Sequence, residues 1–131
     1  MNSNLLKTAL VMRLLGWGFF PTLVISLFWY PHGFAWGIEN GSQWHPYLWM
    51  MMTLYAAWCY LLIREAKIPA QAGLLFDFGI IGNGLHGLVM IVQTIMMWEH
   101  EMPHMWADIP LLFLIVFALW RYHPKRLELH S

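Results

Sequence analysis

The sequence predicts an all-α fold, an integral-membrane four-helix bundle with both termini in the cytoplasm. Three observations predict it. Of 131 residues, 60% are hydrophobic and only 11% are charged, where a soluble domain carries roughly a quarter charged residues. Four apolar stretches alternate with short polar or turn-forming segments. All seven Lys and Arg residues fall in the termini and the middle turn, on one side of a four-span arrangement, and positive charge marks the cytoplasmic side. The resulting expectation is one domain, residues 1–131, in a bacterial inner membrane, with spans at about 14–30, 46–63, 72–98 and 106–122.

Residues 1–13 read as a short polar start containing Lys7 and Arg13. Leu14–Tyr30 carries no charge and is near the lower length limit for a span. Its bulky exit, Phe28-Trp29-Tyr30, offers no cleavage site for a signal peptide, so the segment reads as a retained helix. Pro21 is expected to kink it, because proline removes a helical hydrogen bond. Residues 31–45 form the longest connection, with Gly and Asn for turns and Trp36 and Trp44 for the membrane interface. Asn40-Gly41-Ser42 fits a glycosylation sequon but reads more simply as an Asn-Gly turn.

Pro46–Ile63 is the second span, with Pro46 suited to a first helical position. A charged turn from Arg64 to Pro69 leads into Ala72–Trp98, the longest apolar run. Glu99–Ala107 is an acidic loop rich in His and Met. The fourth span follows, with Asp108 as N-cap and Pro110 in the first turn. Lys125 and Arg126 lie in the polar tail. Net formal charge is zero and no basic run points to nucleic acid. Cys59 is the single cysteine, which excludes an intrachain disulfide.

Chemistry concentrates in the third span. Asn83, His86, Met90 and Gln93 share an arc of roughly 80° on a helical wheel, with Gly79 beside them. Hydrocarbon penalises unpaired polar groups, so this face must meet another helix or a ligand. His86 lies about 18 Å of helical rise from Trp98, near mid-bilayer. On the second span His45, Trp49, Met52, Ala56 and Cys59 form a facing stripe. His45, Asn83, His86, Met90, Gln93 and Asp108 are therefore the candidate lining of a pocket open to the outer face. Asp77 points away from that arc and is expected to pair with Arg13. In the outer loops, His45, His100 and His104 are candidate metal ligands. Carboxylates beside them suit zinc, and Met102 and Met105 suit copper.

His45-Pro46-Tyr47-Leu48, Gly84-Leu85-His86-Gly87 with Met90 and Gln93, and Asp108-Ile109-Pro110-Leu111 together resemble a family of uncharacterised small bacterial four-helix membrane proteins. The resemblance covers most of residues 10–120. It implies a four-span fold in the inner membrane and no particular activity. Three functions stay open. The leading one is a structural or accessory subunit of a larger membrane complex, contacting lipid and either other membrane subunits or itself. The second is a binding protein for a metal ion or small molecule such as a quinone-like head group. The third is an enzyme, ranked last because no nucleophile with its base and no phosphate loop is present.

Overall fold

The computed structural model describes residues 3–34 and 46–128. Four long helices dominate it. Helix α1 runs from Ser3 to Trp29 and is followed by a short turn, Pro31–Phe34. Helix α2 is Pro46–Glu65, α3 is Gly73–Met96 and α4 is Asp108–Arg121, with a final short helix α5, Pro124–Glu128. Among the described residues three stretches are long and apolar enough to cross a membrane: Ser3–Trp29, Gly73–Met96 and Met102–Arg121. The last includes the tight turn Met102–Trp106 that leads into α4. Helix α2 has 20 residues but ends in Arg64-Glu65, and it packs chiefly against α1.

Helix α1 begins at Ser3 rather than at Leu14, because Thr8, Ala9 and Met12 are buried against neighbouring segments. The Thr8 hydroxyl donates to the Tyr122 carbonyl at 3.0 Å, filling an acceptor left open where α4 ends. The expected disturbance by Pro21 takes the form of a widened π-turn, Leu15–Phe19, just before it. Gly16 lies in that turn at the closest approach of α1 to α2; a Cβ there would sit 2.5 Å from Ile63 and 3.0 Å from the Cys59 carbonyl. Cys59 Sγ reaches the Leu15 carbonyl in the same turn, at 3.7 Å.

Residues 3–14, the turn Pro69–Gln71 and α5 meet at one end of the molecule, which therefore gathers the Lys and Arg residues. Pro31–Phe34 and Met102–Trp106 meet at the other. The main core sits toward the charged end, built from Met12, Phe19, Trp58, Leu62, Phe76 and Leu119. Toward the opposite end the core divides. Leu27, Leu48 and Met52 close α1 on α2, while Met90, Ile109 and Leu112 close α3 on α4. Of the long helices, α3 and α4 pack together most extensively. Large apolar side chains cover the outside, among them Leu74 at 81% and Leu54 at 72% exposed, as expected of helices bathed in hydrocarbon rather than water.

Candidate functional site

Helices α2 and α3 are consecutive and joined by a short turn, yet a groove remains between them. Their close contact is at Trp58. Its indole Nε1–H donates to the Leu75 carbonyl at 3.3 Å. The absence of a side chain at Gly79 admits the indole, since a Cβ there would lie 2.5 Å from Trp58 Cζ2 and 2.7 Å from Leu119 Cδ1. Beyond Trp58 the groove widens into an upper chamber of about 180 Å³, walled by Met51, Leu54, Phe78 and Gly82. A lower chamber of about 580 Å³ shares Leu54, Trp58 and Phe78 and runs to Arg64 and Gln71 at the charged end.

Three polar side chains line the upper chamber: Tyr55, Asn83 and His86. The Tyr55 hydroxyl and His86 Nδ1 lie 3.0 Å apart, and the rings stack with centroids 6.3 Å apart and 22° between planes. Whichever atom donates in that bond, the pair retains a donor and an acceptor. These are either Nε2–H and a phenol lone pair, or the phenol O–H and Nε2. Phe19 meets the Tyr55 ring edge-on at 5.2 Å and holds it from behind. Asn83 is only 4% exposed; its Nδ2 donates to the Gly79 carbonyl at 2.7 Å, while Oδ1 is buried without a hydrogen-bond partner. An unmatched buried acceptor of this kind costs about 1–3 kcal/mol. Among the described residues no carboxylate, lysine or arginine lines this chamber.

A second polar cluster lies at the end opposite the charged one. His104 is 1% exposed, with Nε2 3.1 Å from Glu101 Oε2 and Nδ1 2.9 Å from Asp108 Oδ2. Asp108 is thus the first residue of α4 with its carboxylate turned onto His104, and the helix carries no side-chain N-cap bond. A neutral imidazole has one N–H, so both bonds form only when the triad holds an additional proton. Asp108 also lies near enough for its charge to bear on Tyr55 and His86, which relates this cluster to the chamber.

The structure redistributes the residues expected to form a pocket. Asn83 and His86 share the chamber. Met90 is buried against Ile109 and Leu112 as core, and Gln93 is exposed. The buried stripe of α3 runs through Phe76, Gly79, Asn83, Gly87, Met90 and Thr94. It is rotated by about 40° from the polar arc read on the wheel, which puts His86 at its edge and Gln93 outside it. His45 lies outside the described residues, as does the His100 side chain. Among the described residues no group of three His, Cys, Asp or Glu is placed to hold a metal ion. His104 instead spends both ring nitrogens on carboxylates.

The expected Arg13–Asp77 pair does not form. Arg13 is exposed, and Asp77 Oδ1 lies 3.1 Å from His123 Nε2. The Lys125 backbone N–H donates to His123 Nδ1 at 3.2 Å, which leaves Nε2 as the protonated nitrogen facing Asp77. The Phe76 ring packs edge-on against that imidazole at 5.7 Å. A histidine beyond the last span shows no periodicity, so nothing in the sequence flagged it. Tyr55 did carry a signal. It sits three residues after Met52 and four before Cys59, on the stripe already singled out.

Over residues 3–122 the sequence matches a family described as a family of unknown function (DUF6632). No curated protein and no solved structure matches the chain.

Proposed function

The chain belongs to that family of unknown function, and from this premise we propose that it is a small multi-pass inner-membrane protein that binds an apolar molecule with a polar head between α2 and α3. In this reading α2 spans the bilayer with the other three long helices. The charged end, with both termini, faces the cytoplasm, following the distribution of Lys and Arg. The groove opens sideways to the bilayer, so a lipophilic ligand reaches it without crossing water. The observation that carries the reading is Asn83 Oδ1, a buried acceptor without a partner on the wall of a chamber that also holds the Tyr55–His86 pair. Binding sites are mostly apolar with a few convergent polar groups, which is the composition here. An accessory-subunit role draws on the small size and apolar exterior of the chain, but lipid contact alone accounts for that exterior.

Gly82 supplies the test. A Cβ at Gly82 meets nothing within 4 Å, and the residue lines the upper chamber; Gly84 is equally open but does not line it. Gly82→Leu therefore fills the chamber without a backbone clash, and Gly84→Leu is its control. A diazirine-bearing long-chain alcohol is irradiated with each protein in lipid nanodiscs. Labelling is expected on peptides containing Leu54 and His86, falling about tenfold in Gly82→Leu and persisting in Gly84→Leu. Labelling spread evenly along all lipid-facing helices in every variant would overturn the reading.

A further inference from the structure

Resting on that reading of the cleft, we propose that the ligand is a neutral molecule with a hydroxyl-bearing aromatic head in the upper chamber and an apolar tail in the lower one. Three features select this class. The first is charge. Among the described residues the upper chamber is lined by no carboxylate, lysine or arginine. Asp108, which lies close to Tyr55 and His86, turns its carboxylate onto His104, and an unpaired ionic head would be strongly penalised at such a depth. The second is hydrogen-bond inventory. Asn83 Oδ1 requires a donor, and the Tyr55–His86 pair offers a donor and an acceptor. A hydroxyl meets both: its proton goes to Oδ1 and its lone pairs accept from the pair. A ketone or ether has only acceptors and leaves Oδ1 unmatched. Oδ1 is itself buried, so a ligand hydroxyl reaches it with a turn of the Asn83 amide about its soft terminal torsion, at the expense of the Nδ2 bond to the Gly79 carbonyl.

The third feature is shape. Tyr55, Trp58 and Phe78 present rings to a chamber of about 180 Å³, somewhat larger than the ~150 Å³ cavity that holds a benzene ring. Stacking and edge contacts favour an aromatic head there. The lower chamber, about 580 Å³, continues from the same Leu54, Trp58 and Phe78 past Leu61 and Leu74. Its volume and largely apolar walls suit an alkyl or prenyl tail, with Arg64, Glu65 and Gln71 at the charged end.

The test compares two probes that differ by one proton donor, 4-nonylphenol and its methyl ether 4-nonylanisole. Each is titrated calorimetrically into the full chain in lipid nanodiscs. The phenol is expected to bind at least about fivefold more tightly than the ether. The ratio is expected to fall below about twofold in Asn83→Leu. The wild-type ratio decides without the variant. A ratio that persists in Asn83→Leu overturns the assignment of the hydroxyl to Asn83. Equal binding of both probes, abolished by Gly82→Leu, overturns the hydroxyl-bearing head and leaves the cleft as a binding site. Failure of both probes to bind overturns this inference, while the photolabelling pattern decides the cleft itself.

Discussion

At the scale of single residues, two glycines about 4.5 Å apart along α3 have opposite roles. Gly79 exists to admit Trp58 and Leu119; a methyl there collides with both at 2.5 and 2.7 Å. Gly82 borders open space. Gly79→Ala is therefore expected to destabilise by about 1–3 kcal/mol through overpacking. Gly82→Ala is expected to be neutral or to stabilise by up to about 1 kcal/mol through helix propensity. Thermal unfolding in detergent measures both, and equal effects would contradict the close approach at Trp58. Gly79 stood out in the sequence beside the polar arc, but composition has no means of separating a glycine under an indole from one beside a cavity, such as Gly82. The same holds for Asp77. Its depth was legible from position, whereas its partner depended on where the tail folds back. Arg13→Ala and Asp77→Ala are accordingly expected to be additive in stability, and a coupling above about 0.5 kcal/mol would restore an Arg13–Asp77 interaction.

At the scale of elements, the segment before α4 is held by chemistry rather than by helical propensity. His104 sits between Glu101 and Asp108 in a nearly solvent-free site. Replacing it with an apolar residue places the two carboxylates side by side with no imidazole between them. His104→Leu is therefore expected to lower stability by about 3–5 kcal/mol, the range for breaking a buried pair. Gln93→Leu, on the exposed face of α3, is expected to change it by less than about 0.5 kcal/mol. The four-residue spacing of His104 and Asp108 was visible in the sequence, and the metal reading followed from ligand type. The structure spends those same groups on one another. Helix α1 teaches a related lesson. Pro21 announces a disturbance, but the π-turn lies upstream, where Gly16 and Gly18 make a wider turn inexpensive and where Cys59 and Ile63 press against it.

At the scale of the whole molecule, the helices form two pairs joined by one core toward the charged end and closed by separate clusters toward the other. The arrangement predicts a membrane topology that can be read chemically. In a Cys59→Ala background, Lys67→Cys and Ser3→Cys are expected to react with an impermeant thiol reagent from one side of the membrane and Trp106→Cys from the other. Labelling of Lys67→Cys and Trp106→Cys from the same side would overturn it. The sequence by itself determined the helical class, the apolar stretches, the gathering of positive charge at one end and the presence of Asn83 and His86 deep in α3. Helical class and apolar stretches are properties of composition and period that hydrocarbon enforces, the charge asymmetry is legible from position along the chain, and Asn83 and His86 stand out because hydrocarbon disfavours them. Only the tertiary structure decided that α3 packs chiefly on α4 and stands off from α2, that Tyr55 is the partner of His86, and that Asn83 keeps an unmatched carbonyl. Those outcomes turn on the rotation of each helix about its axis. A rotation of about 40° is enough to exchange Gln93 for Gly87 on the buried face, and it is set by where indoles, glycines and leucines from distant segments fit against one another.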